Sequence, residues 1–252
     1  MIIREQNDGF VIIRQHDHAI ISEQMAKKLK QEFHPDEAWR DSVFYAIKMH
    51  DYGWKDFDAE PLWDDEKQSP YSFIDFSNRI KTVLYKHGID EVAKEDLYAG
   101  LLCSRHYVSF LAKDSSPEAI QFVIDEKDRQ KSIQDKLGIA DELVSFHYDL
   151  LRFADSLSLF LCLNEPGARK EEKHYFFQNG IPLPGRLQKQ LGERLHLEWA
   201  DRGTVVGNIS TFQDSFTVSV PFKKVSNAAI AEHGIRKSYM DAVEGSLEVR
   251  IV

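Results

Sequence analysis

An adjacent histidine and aspartate, His50 and Asp51, are the residues best suited by type and spacing to do chemistry. They lie near the end of residues 36–54, where apolar side chains recur close to a helical period and Gly53 acts as a helix stop. An imidazole and a carboxylate held at the end of a packed helix can both bind one divalent cation. The doublet thus predicts half of a metal site. The alternative is a histidine favoured by the helix dipole beside a solvated aspartate.

Two further residues, His18 and Asp155, extend this pattern along the chain. His18 begins an amphipathic helix, and Asp155 stands in an Ala-Asp-Ser-Leu context inside a strongly apolar one. This order resembles the HD superfamily of metal-dependent phosphohydrolases, over roughly residues 15 to 165. The resemblance implies a helical bundle in which His18, His50, Asp51 and Asp155 hold one divalent cation, with Mn, Fe, Mg, Ni or Zn all compatible.

The residues after the doublet depart from the superfamily pattern. Many members continue with any residue, Gly and Lys, whereas HDYGW has Trp54 where that Lys would stand and Lys55 one place later. The resemblance therefore implies metal binding more directly than phosphate recognition. The QHDHA start and the HDYGW doublet also resemble a bacterial family of HD-like proteins of unknown function.

Four other residues are candidates for catalytic roles. Arg105, His106 and Lys55 could neutralise a phosphate, and His106 or His147 could transfer a proton. His147 and Asp155 are separated by two steps of four residues, so that both lie in one slowly drifting helical stripe. The alternative for either histidine is a core residue with its hydrogen bonds satisfied.

The hydrophobic patterns predict how these residues are positioned. Asn7-Asp8-Gly9 between two β-branched runs predicts an N-terminal hairpin in residues 1–14. Further helices are expected at about 73–85, ended near Gly88, then 91–112, 118–136 and 141–163, with a long loop at 52–71 that forms either a lid or a plain surface loop. After residue 194 the patterns are mostly β.

These elements predict a mainly α protein, an HD-like helical bundle with a small β-sheet annex. The expected division is a helical domain at 15–165, an annex from 1–14 and 194–252, and a connecting segment at 166–193. A lone hairpin is only marginally stable in water, and chain termini often lie close together. We therefore expect the hairpin to pair with the C-terminal strands, near the start of the His18 helix, where the sheet could wall one side of the site.

Composition limits the classes of function. The chain has 252 residues and a net charge of -9, which argues against general nucleic-acid binding. Cys103 and Cys162 lie in apolar helical runs, as expected for reduced thiols, and no signal sequence or membrane span is recognisable. We expect a cytoplasmic protein without membrane association, and a homodimer is compatible with the sequence.

Three functions are compatible with these residues. The first is a metal-dependent hydrolase acting on a small phosphorylated, nucleotide-like substrate. The second is a di-iron HD-like oxygenase that uses His106 and His147 as additional ligands. The third is a non-catalytic regulatory protein that binds a metal or another ligand. Metal content would distinguish them, because fold alone does not decide chemistry.

Overall fold

The structure, a computed structural model, describes residues 1–252. Nine α-helices make up most of its regular structure. They are α1 (Gln15–Ala26), α2 (Arg40–Met49), α3 (Lys55–Ala59), α4 (Asn78–Glu95), α5 (Leu97–Leu111), α6 (Pro117–Leu137), α7 (Asp141–Leu163), α8 (Gly185–Leu191) and α9 (Asn227–Asp241).

Ten β-strands form one large sheet and two short ribbons. They are β1 (Ile2–Gln6), β2 (Gly9–Ile13), β3 (Trp63–Asp64), β4 (Ser69–Pro70), β5 (Ile181–Pro182), β6 (Arg194–Leu195), β7 (Leu197–Asp201), β8 (Thr204–Gly207), β9 (Phe216–Ser226) and β10 (Glu244–Ile251). The ribbons pair β3 with β4 and β5 with β6.

The large sheet is built from both ends of the chain. Its strand order is β1-β2-β9-β10-β8-β7, and every neighbouring pair is antiparallel except β10 with β8. Residues 9–12 of β2 pair with residues 223–226 of β9. The predicted pairing of the N-terminal hairpin with the C-terminal strands is therefore confirmed.

The sheet is a full layer of the fold, so the predicted class of a mainly α bundle with a small annex is wrong. Successive side chains of a strand point to opposite faces. Val11 and Ile13 of β2 join the main core with the helical bundle, whereas Phe10 and Ile12 pack in a smaller core with α9. Helices cover both faces of a six-stranded mixed sheet, and the architecture is α+β. The strand patterns identified single strands and not the size of the sheet that they build.

The helices of the bundle are arranged around α5. It packs against α2, α4, α6 and α7, while α1 packs against α2, α7 and strand β9. The helices that carry His18, the His50-Asp51 doublet and Asp155 are therefore neighbours, and the sheet supports α1, which follows directly from β2.

The predicted end of a helix near Gly88 is also wrong. Helix α4 continues through Gly88 to Glu95, and this glycine lies where α4 meets the chain after the doublet. A Cβ atom at Gly88 would lie 2.7 Å from the backbone nitrogen of Gly53, and one at Gly53 would lie 2.4 Å from the carbonyl oxygen of Leu84. Both glycines allow a close backbone approach beside Asp51.

Two regions hold structure that the patterns did not predict. Residues 52–71, predicted as a loop, contain α3 and the β3–β4 ribbon, and the C-terminal strands are interrupted by α9. The N-terminus of α9 is capped by Ser226, whose Oγ accepts a hydrogen bond from the backbone N–H of Ala229. None of the helices combines the length and the apolar character that a bilayer span requires.

Candidate metal centre

The four predicted metal ligands converge at one point of the bundle. Nε2 of His18 lies 2.8 Å from Oδ2 of Asp51 and 3.8 Å from Oδ1 of Asp155. Nε2 of His50 lies 3.7 Å and 3.5 Å from the same two carboxylate oxygens. Ligands at about 2.1 Å from a common ion are separated by roughly 3 to 4 Å. The four donor atoms could therefore hold a divalent cation with small adjustments.

His50 presents an unpartnered nitrogen to this point. Its Nδ1–H donates a hydrogen bond of 2.6 Å to the carbonyl oxygen of Ile47, one turn earlier at the end of α2. The other ring nitrogen, Nε2, is buried and has no hydrogen-bond partner. Buried polar atoms are rarely left without a partner. The orientation of His50 therefore fits a metal ligand whose second nitrogen is fixed by the backbone.

His18 is held from behind by two serines. Its Nδ1 lies 2.7 Å from Oγ of Ser158 on α7, which in turn lies 2.6 Å from Oγ of Ser22, one turn after His18. All three side chains are buried. A hydroxyl can either donate or accept, so Ser158 suits both neutral tautomers of His18. It can therefore accept from Nδ1–H when Nε2 binds a cation.

His106 forms a second, overlapping group of donors. Its Nε2 lies 3.9 Å from Oδ2 of Asp155, and its ring packs edge-on against His50 with 5.0 Å between the ring centroids. His50 consequently belongs to two groups that could each hold a metal ion, His18-His50-Asp51 and His50-His106-Asp155. Of the four residues that the sequence predicts for catalysis, only His106 lies beside the metal ligands.

The cluster shifts the pKa values of its members in opposite directions. Burial disfavours ionised Asp51 and Asp155, but the surrounding imidazoles outweigh it and hold the pKa of both carboxyls below the usual range. Burial also disfavours charged His50, yet the two carboxylates raise its pKa to about 9. Burial dominates at His106, where it lowers the pKa to about 4 in spite of Asp155. His106 is thus a neutral imidazole at neutral pH.

Arg105 points away from the metal ligands. One residue along a helix turns the side chain by about 100°, so Arg105 and His106 cannot face the same point. The Arg105 guanidinium instead pairs with Asp141 and donates to Gln134 and Ser145.

His147 and Lys55 also lie outside the cluster. Eight residues of helix place His147 about 12 Å from Asp155 along the axis of α7, and its Nδ1 forms a 2.6 Å hydrogen bond with the hydroxyl of Tyr98. Lys55 rests over the ring of Tyr52, with Nζ 5.3 Å from the centroid. The residue before it, Trp54, is buried in the core.

A cavity of about 550 Å³ opens onto the cluster. It is lined by Asp51, His106 and Asp155, and by two cationic side chains that the sequence analysis did not select, Lys81 of α4 and Arg152 of α7. Arg152 precedes Asp155 by three residues and so shares its helix face, a spacing that could have identified it. The six-stranded sheet does not line this cavity, contrary to expectation.

A bundle that brings two buried histidines, the buried Asp51 and the partly buried Asp155 to one point, beside an open cavity, defines a protein with a candidate metal centre. The chain belongs to the family described as "Protein of unknown function (DUF3891)", whose model matches residues 1–227 and so includes the whole cluster. No curated protein and no solved structure shows a significant match to the chain.

Proposed function

We propose that this protein is a metal-dependent hydrolase of small phosphate esters or anhydrides, with an HD-like arrangement of His18, His50, Asp51 and Asp155. The observation that carries the proposal is the convergence of these four donors, three buried and Asp155 partly so, with Nε2 of His50 left without a hydrogen-bond partner. A buried imidazole nitrogen without a partner costs free energy unless it binds something. A cation could bind this nitrogen together with the three other donors.

The donor set fits a divalent transition metal. Two carboxylates balance the charge of such an ion, and imidazole suits Zn, Fe or Ni better than it suits Mg. A bound cation of this kind lowers the pKa of a water and polarises a phosphoryl oxygen. The protein's part is to hold these ligands and to exclude bulk water from the floor of the cavity.

Three other side chains fit roles in phosphoryl chemistry. His106 is neutral near pH 7 and faces the cavity beside Asp155, so it can accept a proton from an attacking water or pass one to a leaving group. Lys81 and Arg152 line the same cavity and can neutralise the phosphate. They take the role for which the sequence suggested Lys55 and Arg105.

The position of Asp155 favours a second candidate, an oxygenase with two irons. Its Oδ1 lies 3.5 Å from Nε2 of His50 and its Oδ2 lies 3.9 Å from Nε2 of His106, so this carboxylate could bridge two ions. His147 does not support this candidate, because it is bonded to Tyr98 away from the cluster. Paired iron with a charge-transfer absorption would favour the oxygenase over the hydrolase.

Hydrolysis of a set of phosphate monoesters, diesters and nucleotides by the metal-loaded protein tests the proposal. We expect phosphate release with at least one compound, inhibition by chelators, and loss of activity in Asp51→Ala. A matched control is Glu126→Gln, which removes a buried carboxylate that bonds Ser104 instead of the cluster. Absence of phosphate release with every compound and every divalent metal would contradict the proposal.

A further inference from the structure

Three of the apolar and aromatic side chains that line the cavity are exposed to solvent. Ile74, Phe110 and Phe176 are 40%, 53% and 42% exposed, and all three line this cavity. Single exposed apolar residues are ordinary, but several at the mouth of one cavity indicate a surface that is covered when a ligand binds.

On each of three helices, two residues of the cavity lining lie one helical turn apart. On α5, His106 is followed one turn later by Phe110, and on α7 Asp155 is preceded one turn earlier by Arg152. On α4, buried Tyr85 is preceded one turn earlier by half-buried Lys81. One turn is about 5.4 Å along a helix. Two cations and an aromatic ring therefore surround the entrance one turn above the floor.

The remaining wall comes from the segment between α7 and α8. Phe177 anchors it, because its buried ring packs against Phe160 of α7 with 5.3 Å between centroids. The side chain of Asn164 accepts a 2.7 Å hydrogen bond from the backbone N–H of His174, and β5 pairs with β6. The neighbouring Phe176 is thereby held at the cavity, where its ring packs against His174 and Tyr175 and stays 42% exposed.

We propose that the cavity selects phosphate esters whose leaving group is a planar, largely apolar ring. The phosphoryl group lies between the metal ligands and the cations Arg152 and Lys81, and the ring lies against Phe110 and Phe176. This assignment rests on the proposed hydrolase function. In the reaction, the P–O bond to the ring-bearing oxygen breaks, a P–O bond to water forms, and a proton of that water ends on the leaving alcohol.

Binding of two phosphonates tests this assignment without turnover, because their C–P bond is not hydrolysed. Phenylphosphonate and methylphosphonate share the head group and differ in the ring. Calorimetric titration of the metal-loaded protein should give a Kd for phenylphosphonate that is lower by roughly tenfold or more, as expected when an aromatic contact is added. Equal Kd values, or no binding of either compound, would overturn the proposal.

Substitutions separate the ring contact from the phosphoryl contact. Phe110→Ala and Phe176→Ala should each lower, several-fold, the ratio of the Kd for methylphosphonate to the Kd for phenylphosphonate. Arg152→Gln should weaken the binding of both compounds and leave this ratio unchanged. Ile124→Ala is the control, because Ile124 of α6 is an apolar residue, 49% exposed, that does not line the cavity. A ratio that is unchanged in both Phe variants would overturn the ring contact.

The two proposals can fail independently. Ring-dependent binding of phosphonate without hydrolysis of any ester would overturn the hydrolase and leave the ligand preference standing. Hydrolysis of ethyl phosphate as efficient as that of phenyl phosphate would leave the hydrolase standing and overturn the ring preference.

Discussion

Nε2 of His50 lies 3.5 Å from Oδ1 of Asp155, although His50 follows α2 and Asp155 lies in the middle of α7. Both side chains belong to the interior of the bundle, where His50 is fully buried. Removing an imidazole and a carboxylate from water costs free energy, and replacing such a pair by well-packed apolar residues is often neutral or stabilising. Packing alone would favour apolar residues at both positions. The contact is therefore better explained by binding than by stability.

Ser158 should affect metal affinity through His18. Ser158→Ala removes the hydroxyl 2.7 Å from Nδ1 of His18, so the ring loses the contact that holds its orientation. Loss of such a partner weakens metal binding by about 10-fold to 100-fold. Competition with a fluorescent chelator, using Mn²⁺, measures the Kd. Ser145→Ala is the control, because Ser145 lies on the same helix and bonds Arg105 instead. A Kd equal to that of the wild type would show that His18 does not depend on this contact.

Gly88 should tolerate no side chain. In an ordinary helix Gly→Ala stabilises by about 1 kcal/mol, but the new Cβ at this position would lie 2.7 Å from the backbone nitrogen of Gly53. We expect Gly88→Ala to lower the free energy of unfolding by about 1 to 3 kcal/mol, as overpacking does, and to weaken metal binding by displacing Asp51. Urea unfolding measures the first effect.

The control for Gly88 is Gly185→Ala at the start of α8, where the nearest atom to a new Cβ is a carboxylate oxygen at 3.5 Å, an ordinary contact. Its free energy of unfolding should change by less than about 0.5 kcal/mol. Equal effects of the two substitutions would contradict the account of the Gly53–Gly88 contact.

His147 should make stability depend on pH between about 6.5 and 4. Burial lowers its pKa from 6.5 to about 4, so the unfolded chain takes up a proton at a pH where the folded protein does not. The contribution to stability is complete above pH 6.5 and is lost as pH falls towards 4, by roughly 3 kcal/mol in total. The difference in unfolding free energy between wild type and His147→Gln should therefore change across this range. If the unfolding free energies of the two proteins changed with pH in parallel, the proton uptake could not be assigned to His147.

Much of the site could be predicted because its signals are local. The doublet follows a helix, Asp155 lies in a long apolar run, and the predicted helix at 141–163 coincides with α7 (Asp141–Leu163). Such helices must pack on each other to bury their apolar faces, which brings their polar residues together.

The errors arose where contacts between distant segments decide the structure. The sequence predicts a helix end at Gly88 because it does not show that Gly53 lies against this residue. The direction of Arg105 depends on which face of α5 meets α7. The sheet is larger than predicted because six short strands from both ends of the chain combine, and strand patterns do not reveal their partners. Lys81 and Arg152 were missed because a cavity is not a local property of a sequence.

Elemental analysis of the protein purified without added metal tests the central claim most directly. Wild type and Glu126→Gln should each contain a divalent transition metal in stoichiometric amount. Asp51→Ala and Asp155→Ala should contain at least tenfold less, since each loses a charged ligand, while circular dichroism shows nearly the same helical content. A metal-free wild-type protein, or equal metal content in all four proteins, would contradict the assignment of His18, His50, Asp51 and Asp155 as a metal centre.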